Sequence, residues 1–313
     1  MASQADLYAR LKIADTPMDK CDLALDLLAQ TNSRQYLDEC LRLLLSDAVI
    51  VFLEDKHRSI LREKCLYYYE DGKRDKAGML REKLTRLLLH IGHPDDSDIY
   101  QLGVETYYLQ PIDDVAQNLR AVALAGLATV DLSLACIYAT KFLGEEYTSV
   151  FNCEPAMTAV EVLSTANNRL PIYQFLLHQG ELMAKTKRGE LTAKAFESLG
   201  ANFPLQFYRP LIETYQALDM PTASIGIINT IIENRFGALY DTLEDMILST
   251  KDDDLRRYGL VMMSASRDDD LANRLLRLAR FAKNNHVPLF IEAVEVCNHP
   301  DRDVTLAQLQ KRL

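Results

Sequence analysis

The chain has no tryptophan, only 12 glycines and 10 prolines among its 313 residues, and no Cys-x-x-C pair. Each scarcity excludes something. Glycine and proline together make up about 7% of the residues, against ~12% in average usage. Sheet-rich folds spend more turn residues than that, and collagen-like or low-complexity chains far more, so the composition points to a mainly helical protein. The six cysteines (Cys21, Cys40, Cys65, Cys136, Cys153 and Cys297) are scattered, mostly among apolar neighbours. They are expected as buried free thiols of a reducing compartment, because disulfide frameworks belong to short secreted chains. Long hydrophobic runs are missing too. The longest clean one, Ala121 to Val130, is flanked by Arg120 and Asp131 and reaches half the ~20 residues of a spanning helix. Met1 to Asp6 shows neither a basic nor an apolar leader region. A soluble, cytoplasmic protein with no membrane partner is the expectation. Positive charge is in deficit, 35 Lys and Arg against 45 Asp and Glu, for a net of −10. That balance disfavours a dedicated nucleic-acid binder, whose affinity rests on cations displacing counterions.

What is present is helical periodicity. Leu80, Leu84, Leu87 and Ile91 fall at i, i+4, i+7 and i+11, and Leu271, Leu275, Leu278 and Ala282 repeat the spacing. Ile225, Ile228 and Ile232 extend the pattern. The best strand candidate, Ala48 to Leu53, continues a helical pattern from Leu41 and reads as helix. Acidic runs precede apolar starts at Asp95-Asp96, Asp113-Asp114, Asp252 to Asp254 and Asp268 to Asp270. Carboxylates there satisfy free N–H groups and complement the helix dipole. The spacing predicts helix pairs over 19–46, 56–91, 115–143, 154–184, 206–234, 252–284 and 287–313. Val115 to Ala128 and Leu132 to Leu143 are apolar nearly all round and are expected to be packed on every side. A recurrence every ~30 to 50 residues signals a helical array, whose units cannot bury their apolar faces alone.

The turns repeat as well. Gly92-His93-Pro94-Asp95-Asp96 is echoed by Asn298-His299-Pro300-Asp301-Arg302, and more loosely by Asp219-Met220-Pro221. Gly or Asn is expected to end one helix in the left-handed conformation, and Pro-Asp to open the next. At these residues, and at Asn118 to Leu127 with its Arg-x-x-Ala-x-x-x-Leu stretch, the chain resembles HEAT-like and armadillo-like α-solenoid repeat proteins. The resemblance implies an all-α fold of stacked antiparallel helical hairpins in one domain, 1–313. The stretch 184–207, with Lys185 to Gly189 and Phe203-Pro204, breaks the repeat as an irregular hinge.

Side chains that might carry chemistry have simpler structural uses. His90 and His93 form His-x-x-His beside Asp95 and Asp96, a metal-like spacing, but Gly92 and Pro94 interrupt the helix and favour a capping role. The Asp triplets lack the Gly and Glu of a calcium loop and read as N-caps. Cys297-x-His299 has no spacing that would orient a nucleophile and its base. No phosphate loop, dinucleotide fingerprint or nucleophile elbow occurs. No catalytic residue, metal ligand or cofactor is therefore expected. Tyr67-Tyr68-Tyr69 and Tyr107-Tyr108 suit either helix packing or an interface. Lys73, Arg74, Lys76, Arg81, Lys83 and Arg86, like Arg274, Arg277, Arg280 and Lys283, suit either a solvated face or an anionic partner. The candidate partner-binding surface is Arg274, Arg277, Arg280 and Lys283 with Tyr67 and Tyr68. The expected function is a non-enzymatic scaffold or adaptor for a protein partner of unknown identity, on an extended helical surface. The resemblance also implies two enzyme alternatives: a bilin lyase, separable by visible absorbance with added bilin, or a DNA glycosylase. The glycosylase needs a basic, aromatic face, which the charge and the missing tryptophan oppose.

Overall fold

The apolar periodicity becomes helix throughout the computed structural model, which describes residues 3–110 and 113–312. Contacts divide the chain into two compact units, Met1–Asn168 and Arg169–Leu313. The first holds α1 (Gln4–Ile13), α2 (Pro17–Gln30), α3 (Arg34–Leu44), α4 (Asp47–Ile50), α5 (Arg58–Glu70), α6 (Met79–Ile91), α7 (Ser97–Val104), α8 (Gln117–Val130), α9 (Leu132–Leu143) and α10 (Ala156–Thr165). The second holds α11 (Leu170–Lys185), α12 (Gly189–Leu199), α13 (Tyr208–Ala217), α14 (Pro221–Glu233), α15 (Tyr240–Ser249), α16 (Asp253–Ala265), α17 (Asp269–Arg280), α18 (Val287–Glu295) and α19 (Arg302–Gln310). The only strand pairing among the described residues is a two-residue antiparallel ladder, Leu109 opposite Asp114 and Gln110 opposite Asp113.

In the first unit α8 packs against α6, α7, α9 and α10. That surround explains why it is apolar nearly all round: Leu119, Ala123, Leu124 and Leu127 are all buried. Gly126 is required there, since a Cβ would strike the Tyr100 ring. In the second unit α12 packs on α14, α14 on α16 and α16 on α18, so alternate helices are neighbours. Gly226 lets α14 press against the Ala193 backbone of α12. The segment 184–207 lies within this second unit, where Leu191, Ala195, Phe196 and Leu199 bury one face of α12.

Of the Ala48 to Leu53 stretch, only Ala48 to Ile50 is helical, in the single turn α4; Val51 and Phe52 form a turn, and the stretch does not continue α3. Ser46 interrupts the ladder by donating its hydroxyl to the Leu43 carbonyl at 2.6 Å. Gly92 ends α6 in the left-handed conformation as expected (φ 71°). Elsewhere charged residues take that role. Lys187, Asp219, Arg235 and Arg267, each two residues past a helix end, have φ between 50° and 57°.

Candidate functional site

The proposed surface residues fall into two groups that the fold keeps in different units. Tyr67 and Tyr68 lie on α5. Tyr68 is buried in the core, its ring edge-on to Tyr67 at 5.1 Å between centroids, and burial pushes its hydroxyl pKa up to about 12. Tyr67 is half-buried, with the Arg74 guanidinium 3.9 Å over its ring. Arg274, Arg277 and Arg280 lie on α17, with Lys283 just beyond it. Asp268 starts that helix, its carboxylate accepting the Asp270 and Leu271 N–H groups at 3.0 and 3.1 Å.

The α17 arginines are largely engaged within the unit. Arg274 donates to Asp241 and Glu244 on α15, each at 2.7 Å, and to Asp270 at 3.2 Å. Hydrogen bonds to these carboxylates keep its guanidinium firmly protonated, Asp241 foremost. Arg277 holds both oxygens of the same Glu244 at 2.7 Å. Only Arg280, 4.0 Å from Asp301, and the exposed Lys283 remain loosely committed. These side chains clamp α15 to α17, and the positive potential they offer outward is correspondingly small.

The other basic stretch is also mostly spent. Arg81 is buried, ion-paired to Asp75 at 3.3 Å and lying 5.0 Å from the centroids of both Tyr69 and Tyr108. Lys83 reaches Asp38 at 3.2 Å, and Arg86 reaches Glu82 at 2.5 Å. Tyr107 packs under Arg120, 4.2 Å from ring centroid to guanidinium, and donates its hydroxyl to Glu145 at 2.5 Å. Burial and that carboxylate raise its pKa.

The histidine turns are caps. His93 Nδ1 accepts the Asp95 N–H at 3.1 Å, and His299 Nδ1 accepts the Asp301 N–H at the same distance, so the sequence echo is a structural one. Asp252 caps α16 through the Asp254 and Leu255 N–H groups. Among the described residues no three His, Cys, Asp or Glu side chains are grouped to hold a metal ion. Cys297 is buried and its thiol pKa is raised by desolvation, the opposite of an activated nucleophile.

Sequence reasoning missed the polar centre of the first unit. Arg120 and Asp114 are both fully buried and ion-paired, and Arg120 also donates to the carbonyls of Thr106 and Tyr147. Asp114 accepts the Tyr108 and Ala116 N–H groups at 2.7 and 3.0 Å. One carboxylate thus ties the segment entering α8 to the helix itself. The available signal was an acid six residues before the single charge in an apolar helix.

No family model, curated protein or solved structure matches the chain. Among the described residues no helix is long and apolar enough to cross a membrane.

Proposed function

We propose that the protein is a non-enzymatic scaffold or adaptor that binds a protein partner, rather than nucleic acid or a membrane, on an extended face of stacked antiparallel hairpins resembling a HEAT-like α-solenoid. One observation carries this reading: α12, α14, α16 and α18 pack in succession, each on the next alternate helix. Stacks in which each hairpin touches chiefly its neighbours leave a long continuous face for a partner. The engagement of His93, His299, Asp252 and Asp268 in capping adds support, since those were the side chains with potential chemistry. The warrant is architectural.

Affinity capture from native lysate, followed by crosslinking mass spectrometry, tests it. The expected result is a protein crosslinked to several successive helices of this chain. Failure to retain any protein, or turnover of a small molecule by the purified chain, would overturn it.

A further inference from the structure

The row of α12, α14, α16 and α18 keeps one side in solvent, and cross-helix hydrogen bonds show which residues share it. Asn229 on α14 donates to Glu197 on α12 at 2.8 Å, and Tyr258 on α16 donates to Asn229 at 2.6 Å. Arg257 on α16 donates to Glu292 on α18 at 3.1 Å. Residues four apart on a helix share a face, so Ile225 lies beside Asn229 and Val261 beside Arg257. On α18, Glu295 is three residues past Glu292 and four past Ile291 and so brings Ile291 to this side, and all three aliphatic side chains are only half-buried. Glu190 lies two turns before Glu197, Glu233 four residues past Asn229, and these two carboxylates and Glu295 are exposed; the half-buried Lys194 shares the face between Glu190 and Glu197. Arg257 is held between Asp254 at 3.0 Å and Glu292, so its charge is spent on those two carboxylates.

Building on the scaffold reading above, we infer that this face is the docking surface, and that its occupant is a basic amphipathic segment of a partner protein. Ile225, Val261 and Ile291 would receive its apolar stripe, and Glu233 and Glu295 its lysines and arginines. Charge complementarity decides the partner's chemistry, because an acidic peptide or a polyphosphate backbone would meet the same carboxylates as repulsion. The surface therefore differs in both place and sign from the α17 arginines, which Glu244 and Asp241 already neutralise.

The test is fluorescence polarisation on the full chain with three labelled synthetic peptides. They are a Lys/Leu sequence patterned as an amphipathic helix, its Glu/Leu counterpart and a scrambled Lys/Leu sequence. Saturable, salt-weakened binding of the first alone is expected. Glu233→Lys with Glu295→Lys should weaken it about tenfold, the sum of two lost rim pairs. Glu63→Lys with Glu146→Lys, two exposed acids of the first unit, changes net charge equally and should leave binding unchanged. Circular dichroism confirms that each variant folds. Absence of binding, equal binding of the Glu/Leu or scrambled peptide, or equal loss in both double variants would overturn the inference. A captured partner whose crosslinks avoid these four helices would overturn it too, while leaving the scaffold reading intact.

Discussion

Two arginines, one in each unit, serve opposite ends. In Met1–Asn168, Arg120 and Asp114 are both 0% exposed; Arg120 lies against Tyr107 and Phe142 and donates to backbone carbonyls, and Asp114 accepts backbone N–H groups. In Arg169–Leu313, Arg277 is 56% exposed and grips Glu244 from the solvent side. Both are close ion pairs within the chain, yet their energetics differ. A buried pair has already lost its hydration, so removing one member strands the other in a low-dielectric interior. Removing Arg277 strands less, because the buried Glu244 still holds Arg274 at 2.7 Å. A distance alone therefore says little about what an ion pair contributes.

The largest expected effect is at the buried pair. Arg120→Ala should destabilise the first unit by about 3–5 kcal/mol, measured by denaturant unfolding, because Asp114 is left uncompensated. Arg120→Met with Asp114→Asn, which removes both charges, should recover much of that loss. If the double variant were as unstable as the single one, packing rather than charge would explain the site.

Leu124→Ala comes next. Leu124 is fully buried in α8, between α6, α7, α9 and α10, and truncation should cost about 2–5 kcal/mol through lost burial and a cavity. Leu309→Ala is equally buried, but it sits on α19, which packs only on α17 and α18 among the stronger contacts. Its cavity can collapse more readily, so the loss should fall toward the lower end of that range. Equal losses at the two sites would mean that the terminal helix is held as rigidly as the central one.

How much of this was legible follows residue by residue. That the chain is helical was readable because apolar side chains at 3.6-residue spacing mark the face that each helix buries, whereas the expected pair 154–184 is divided between the two units. The His-Pro-Asp turns were readable because a side-chain acceptor before Pro-Asp has one local use. Helix α12 was not. Gly189 looked like a breaker, but it opens the helix where a Cβ would come within 2.8 Å of Thr222. Close approach, a tertiary fact, was the reason for the glycine. The helix stops at Lys187, Asp219, Arg235 and Arg267 were also hidden, since charged residues rarely adopt positive φ and nothing local announces them. At the candidate surface, the sequence showed that Arg274 and Arg277 share a helix face but not that Asp241 and Glu244, some 30 residues earlier, stand opposite. The acidic row across α12 to α18 required knowing that alternate helices are neighbours.

A smaller effect is expected at the caps of the second unit. Asp268→Ala should cost about 1 kcal/mol or somewhat more, from the lost bonds to Asp270 and Leu271 N–H. Asp268 also accepts the Tyr240 hydroxyl at 2.9 Å, a bond not found at Asp252. Asp252→Ala should therefore cost less than Asp268→Ala in the same unfolding measurement. The reverse order would show that the tyrosine bond contributes nothing.

The smallest effect should be at the exposed member of the comparison. Arg277→Ala removes two 2.7 Å contacts, but the buried Glu244 retains Arg274 at 2.7 Å, so its charge keeps a cationic partner. The expected loss is about 0.5 kcal/mol at low ionic strength, shrinking further in molar salt as screening weakens what the pair contributed. Arg120→Ala should show no such salt relief, because its partner lies beyond the reach of mobile ions. Unfolding both variants at low and high salt measures the contrast directly. If Arg277→Ala cost several kcal/mol regardless of salt, the α15–α17 clamp would have to be counted with the buried pairs, and the distinction between the two pairs would fail.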